Sequence, residues 1–308
     1  MYYPYLRGRQ FELIALREYS DIRGDKNNII PIIEPVKKSF NSMKLALPKL
    51  IAGKVKFGMV LNPQVGEIKN VDDILNGLVT ELANRERWIP VLIVRNNYDA
   101  VNVLLNQLAL ENTMIICTDQ TDTNNEYFKE IVLSDYVTAV LSEDNRSLKR
   151  FVDGIDKKII RLDDNFKPEK RNSDYLDLPE EKFTEEHFYY LQDGYAGFSD
   201  YTPLISEWIE GGSAPYAVAI HLTYLKTKDE IWIRHFTSES NFDRANIQGK
   251  FAEAAKKAVD FLNEKEIHTV ASNELRDYYN EAKYPGLGMV KKIAIKHHLE
   301  IINDSARV

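Results

Sequence analysis

Short apolar runs alternate along the chain with segments whose apolar residues recur every three or four positions. The runs are YYPYL (2–6), IIPII (29–33), KFGMVL (56–61), IPVLIV (89–94), TMIICT (113–118), VTAVLS (137–142), KIIRL (158–162) and YAGFS (195–199). Most are continuously apolar and rich in Ile, Val and aromatics, the pattern of strands buried on both faces and therefore parallel. Between them Leu13, Leu16 and Tyr19 share one helical face, as do Ile74, Leu78, Val79 and Leu82, and Val101, Leu104, Leu105 and Leu108. Asp72, Asp73 and Asp99 stand where a helix begins and suit its first turn or cap. Successive runs begin about 21 to 37 residues apart, the length of a βαβ unit with its crossover helix. Eight such runs predict an α/β fold, a closed (β/α)8 barrel of TIM type, with an open doubly wound sheet as the rival.

The last third is less regular. Residues 166–192 form an acidic and aromatic insertion ahead of the eighth run. Segments 216–224 and 230–237 read as a hairpin around KTKD. Residues 243–263 predict a helix with Phe251, Ala255, Val259 and Leu262 on one side, and SNELRDYYNEAK and GMVKKIAIKHHLEII predict two more. The chain therefore reads as one domain over 1–308, with an insertion at about 166–192 and a hairpin-and-helix extension from about 214. The alternative is that the part from Ala214 onward packs separately.

Composition narrows the function classes. With 47 acidic against 40 basic residues the net charge is −7, which argues against an extended nucleic-acid surface. One cysteine, Cys117, excludes a disulfide framework and any Cys-based zinc or iron–sulfur site, and inside an apolar run it reads as an inert core residue. No apolar stretch approaches a membrane span, and MYYPYLRGRQFE lacks the apolar core of a signal peptide, so the expected location is cytoplasmic, without a membrane partner. There is no H-E-x-x-H, G-x-S-x-G or P-loop.

A barrel of this kind carries its site at the carboxyl ends of the strands. The residues at or just past the runs are Arg7, Glu34, Asn62, Arg95, Asp119, Glu143, Asp163 and Asp200, all polar. Glu34, Asp119, Asp163 and Asp200 supply oxygen ligands for a hard cation, Mg2+ or Mn2+, while Arg7, Arg9, Asn62 and Arg95 are candidates to bind an anionic substrate. Arg7 and Arg9 flank Gly8 at a strand-to-helix junction, where backbone amides also favour an anion. Glu34 precedes Pro35, so helix capping explains it poorly; a buried carboxylate there needs a partner, Arg7 or Arg95. Helix capping is the competing explanation of Asp119 and Glu143. His221 and His235 face each other if the hairpin turns near residue 228; His221 is a candidate proton carrier beside Glu34 and Asp163, and an ordinary cross-strand pair is the alternative. His297 and His298, beside Lys291, Lys292 and Lys296, predict a solvent-exposed basic helix face.

The opening YYPYLRGRQFELIALREY, followed by IIPIIEPVKKSF, resembles the uncharacterised "beta protein" family of bacteria and their phages, through Arg7, Gly8, Gln10, Phe11, Glu12, Pro31, Glu34 and Pro35. The likeness is dense over about the first 40 residues, and the strand rhythm continues to about Asp200. It implies a phage or defence association and no particular mechanism. The residues themselves favour a metal-assisted hydrolase of a phosphorylated or nucleotide-like substrate, with catalysis as such left open. The alternative is a non-catalytic binding or regulatory module with a protein partner. The two differ in whether the strand-end carboxylates gather at one point or disperse into ion pairs.

Overall fold

The computed structural model describes residues 1–211 and 214–305, with the backbone alone at Asp25. The strands are β1 (Tyr5–Leu6), β2 (Ile32–Ile33), β3 (Phe57–Val60), β4 (Trp88–Val94), β5 (Thr113–Cys117), β6 (Val137–Ser142), β7 (Lys158–Asp163), β8 (Glu180–Thr184), β9 (Gly197–Asp200), β10 (Ala219–Leu225) and β11 (Ile231–Thr237). The helices are α1 (Gln10–Arg23), α2 (Asn41–Ala52), α3 (Val71–Gly77), α4 (Tyr98–Gln107), α5 (Glu126–Leu133), α6 (Arg146–Asp153), α7 (Glu186–Tyr189), α8 (Ile247–Glu264), α9 (Val270–Asn280) and α10 (Leu287–Ser305).

Among the described residues, β1 to β7 and β9 form one eight-stranded sheet in sequential order, every pairing parallel. Ahead of β1 the chain closes the ring onto β9: the Tyr3 amide donates to the Phe198 carbonyl at 2.8 Å and the Phe198 amide to the Met1 carbonyl at 3.1 Å. This is the (β/α)8 barrel that the eight apolar runs predict. Inside it, Tyr3, Tyr5, Ile32, Val60, Val91, Ile93, Met114, Ile116, Ala139, Leu141, Ile160 and Leu162 form a closed apolar filling. These positions alternate along each strand, because successive side chains on a strand point to opposite faces. Gly197 admits the Tyr3 ring, since a Cβ there would stand 2.6 Å from that ring. The opposite phase, with Tyr2, Leu6, Ile33, Phe57, Leu92 and Phe198 among it, packs on the helices.

The insertion contributes a strand to the sheet beside the barrel. β8 pairs antiparallel with β11, giving a three-stranded sheet in the order β10-β11-β8. One face of that sheet, through Ile220, Leu222 and Phe236, shares a core with α8 and α9. α10 then returns to the barrel, packs against α1 and β10, and covers the outer side of β9 where an eighth barrel helix belongs. Here the expected exposed basic face is overturned: His297 and His298 are fully buried, and Lys292 and Lys296 nearly so. Only Lys291 of that group is exposed. Among the described residues no helix is long and apolar enough to cross a membrane.

Candidate functional site

The strand-end residues divide by the same alternation that fills the barrel. Continuing the inward phase past each strand leads to Arg7, Glu34, Asn62, Arg95, Thr118, Glu143, Asp164 and Tyr201. Asp163 and Asp200 lie one residue out of phase and face the helices. Asp119 follows β5 in a turn and still reaches the rim. Tyr5, Arg7, Glu34, Gln64, Arg95, Asp119, Glu143 and Tyr201 are among the residues enclosing a cavity of about 150 Å3 at the barrel mouth.

Glu34 is fully buried and fully engaged. It pairs with the Arg7 guanidinium, accepts from the Tyr5 hydroxyl at 2.6 Å and accepts from the Gln64 amide at 2.7 Å. The arginine partner expected for Glu34 is therefore Arg7. Burial, reinforced by the Glu34 carboxylate, pushes the Tyr5 hydroxyl well above its ordinary value of 10.0, so it is held as a donor. Arg7 rests over the Tyr5 ring, 5.0 Å from its centroid, and its Nη2 donates to the Ser206 carbonyl at 2.7 Å. Gly8 makes this junction possible: its φ is +60°, and a Cβ would stand 3.1 Å from the Glu34 carbonyl oxygen and 2.6 Å from Met43. Arg95 is half-buried. Both Arg7 and Arg95 keep a buried Nε–H with no acceptor.

The other candidates take different places. Asn62 gives its whole amide to β4, donating to the Ile93 carbonyl and accepting from the Ile93 amide, each at 2.8 Å. Arg9 lies over the Trp208 ring at 4.3 Å and donates to the Ile209 carbonyl, beside a second cavity. Asp163 is clasped by Arg161 Nε at 2.9 Å on the helix side, where Arg161 also approaches Glu186 at 3.5 Å. Burial raises the Asp163 pKa against the pull of Arg161, and Asp200 and Asp144 add to the rise. Asp200 lies under α10, accepting from Tyr2 and, at 2.7 Å, from the Thr202 amide. Tyr2 in turn stands 3.0 Å from His298 Nε2, and Thr223 stands 3.0 Å from His298 Nδ1. Because Tyr2 donates to Asp200, its oxygen accepts from His298 Nε2–H, so the donors run from the imidazole through the phenol into the carboxylate.

The four carboxylates proposed to share a cation, Glu34, Asp119, Asp163 and Asp200, are thus not brought together. Among the described residues no group of three or more His, Cys, Asp or Glu is arranged to hold a metal ion. Capping fails as the account of Asp119 and Glu143, because Asn125 and Asn145 cap α5 and α6 through bonds to the Tyr127 and Leu148 amides. Both acids remain exposed on the mouth cavity, with no ion pair to a described residue.

His221 and His235 do pair across the hairpin, Nδ1 to Nδ1 at 2.7 Å. Burial lowers their pKa values from 6.5 to about 3 and about 4, so the pair is neutral, one ring donating and the other accepting. His221 borders the second cavity and is absent from the mouth lining. Sequence reading missed Tyr5, Gln64 and Tyr201; the inward phase of β1 and β9 is the signal that finds Tyr5 and Tyr201. Compared with family models, curated proteins and solved structures, the chain finds no match.

Proposed function

We propose that the barrel mouth binds a phosphate-bearing, nucleotide-like small molecule and that the protein hydrolyses it. The observation that carries the binding half is the pair of buried, unmatched Nε–H donors of Arg7 and Arg95 on one cavity. A guanidinium donor left without an acceptor in a shielded site is costly, and an anionic oxygen satisfies it. Arg7 is fixed by Glu34 and by the Ser206 carbonyl and so offers a preset donor; Arg95 is the freer clamp. Asp119 and Glu143 stand at the same rim as the acids that hold Mg2+ or Mn2+, or that accept the proton of an attacking water. The phage or defence association implied by Arg7–Glu12 and the Pro31–Pro35 stretch belongs to this proposal as its biological setting.

A second reading, a non-catalytic binding or regulatory module, is favoured by Glu34, Asp163 and Asp200, which are dispersed into separate ion pairs and hydrogen bonds. Calorimetry with AMP and inorganic phosphate, combined with an assay for released phosphate with and without Mg2+, separates the two. The expected result is AMP binding weakened at least tenfold by Arg95→Gln, and phosphate release abolished by Glu143→Gln. Binding without release in any metal condition establishes the module instead. Absence of binding, or indifference to Arg95→Gln, removes the mouth as a phosphate site.

A further inference from the structure

A second cavity, about 290 Å3, lies between the start of α1, the start of α10 and the segment from Tyr201 to Gly211. That volume is near the lower end of small-molecule sites, about 300 to 1,000 Å3. Its lining is of two kinds. Leu6, Phe166, Leu204, Ile205 and Ile209 give it an apolar lining, and Arg9, Lys291 and Glu12 give it a charged one. The overlying segment is held in place by polar contacts: Arg7 donates to the Ser206 carbonyl, Arg9 to the Ile209 carbonyl, and Ser206 to Asp164.

Lys291 is the unexplained group. Its helix neighbours Lys292 and Lys296 are each bonded to both Glu18 and Glu274. Lys291 forms no hydrogen bond or ion pair with a described residue, although it lines the cavity beside Arg9 and Glu12. The carboxylate nearest to compensating it, Glu12, is spent on α1: it is buried and accepts from the Arg9 backbone amide at 3.2 Å. The pKa of the amine is drawn below 10.5 by desolvation against the opposing pull of Glu12. Two cations, Arg9 and Lys291, therefore share one buried carboxylate, Glu12, in the inner part of the cavity, and the second carboxylate of the lining, Glu207, stands at the rim in solvent where its charge is screened. With Glu207 the lining carries as many carboxylates as unpaired cations, which leaves no room for a dianion. His221 adds no charge, being neutral in its pair with His235.

We propose that this cavity binds an organic monoanion with an apolar body, an aromatic or branched aliphatic carboxylate, whose head meets Lys291 and Arg9 and whose body lies on Phe166, Ile205 and Ile209. The site is distinct from the barrel mouth and does not rest on the mouth binding phosphate. Both halves of the ligand are needed: the head to pair with an amine that has no ion-pair partner among the described residues, the body to exclude water from the apolar lining.

The test is calorimetry on the full chain with phenylacetate, acetate, 2-phenylethanol and phenyl phosphate. Phenylacetate is expected to bind at least tenfold more tightly than acetate, which lacks the body, or 2-phenylethanol, which lacks the charge. Lys291→Met retains the aliphatic stem at an exposed position and is expected to weaken phenylacetate at least tenfold; Ile205→Asp, on the partly exposed overlying segment, should do the same through the body. Phenylacetate bound no better than acetate, or bound equally by Lys291→Met in a normally melting protein, overturns the site. Tighter binding of dianionic phenyl phosphate than of phenylacetate overturns the assignment of the ligand as a monoanion.

Discussion

At the scale of single residues, Glu34 shows how much one carboxylate can organise. Three groups depend on it: Arg7, the Tyr5 hydroxyl and the Gln64 backbone amide. Glu34→Ala removes the counter-charge of a guanidinium that is only 19% exposed, so the loss should be about 3 to 5 kcal/mol, the range for breaking a buried pair. Glu34→Gln keeps an acceptor and should cost less. Urea titration of the two variants checks the order; equal losses would show that charge is not what matters. Glu34 was legible because Pro35 follows it and no helix start competes for its carboxylate. Asp163 and Asp200 were legible as strand ends and misplaced as lumen residues, since a one-residue error in a period of two sends a side chain through the wall. Asn62 lies in the inward phase and still escapes the cavity, because its amide replaces a piece of the ladder with Ile93, which no local pattern reveals.

Among elements, α10 is where sequence reading and structure part most clearly. KKIAIKHH has the composition of a wetted basic face, and its carboxylate partners Glu18 and Glu274 lie on α1 and α9. Nothing in the local pattern marks residues so far apart as neighbours. Lys292 meets Glu18 at 2.9 Å, and Lys296 meets Glu18 at 2.6 Å and Glu274 at 3.0 Å, so the network fastens the last helix to the first. A double-mutant cycle on Lys292→Met and Glu18→Gln should give a coupling of about 1 to 3 kcal/mol, tempered because Glu18 is 31% exposed. Additive effects would mean that apolar packing alone seats α10. The strands tell the opposite story: eight apolar runs at βαβ spacing are enough to specify the barrel, because each is a local feature. β8 was missed because EEKFT, charged at three of five positions, carries no strand signal of its own; it is an edge that exists by pairing with β11.

For the whole molecule, the buried imidazoles set a dependence of stability on pH. His221, His235 and His297 have folded-state pKa values lowered from 6.5 to about 3, about 4 and about 4, in each case chiefly by desolvation. His297 is further committed as a neutral ring, donating from Nε2 to the Thr223 carbonyl and accepting from Thr269 at Nδ1. The sign follows from which state binds the proton. Below about pH 6.5 the unfolded chain takes up protons at these three rings and the native protein does not, so stability falls as the pH drops from 6.5 toward 4. Above 6.5 both states are neutral and the contribution is constant. Glu186 acts oppositely: burial raises it from 4.5 to about 7, so its native form holds a proton between those values, and its contribution is complete below 4.5 and lost as pH rises through about 7. Burial also raises Glu12, Asp163, Glu181 and Glu300, which act in the sense of Glu186, and it lowers His187, which acts in the sense of the three rings; the slope contributed by the rings is positive with pH on the acid side. Each proton is worth about 1.4 kcal/mol per pH unit. Urea midpoints of the two proteins measured from pH 4.5 to 8 read that contribution as a difference: His297→Asn, whatever it costs at neutral pH, should remove up to one proton of the slope below about 6.5. Parallel curves for the two proteins would show that His297 takes up its proton in the native state as readily as in the unfolded chain, and that α10 tolerates a charged imidazole between β10 and the start of α9.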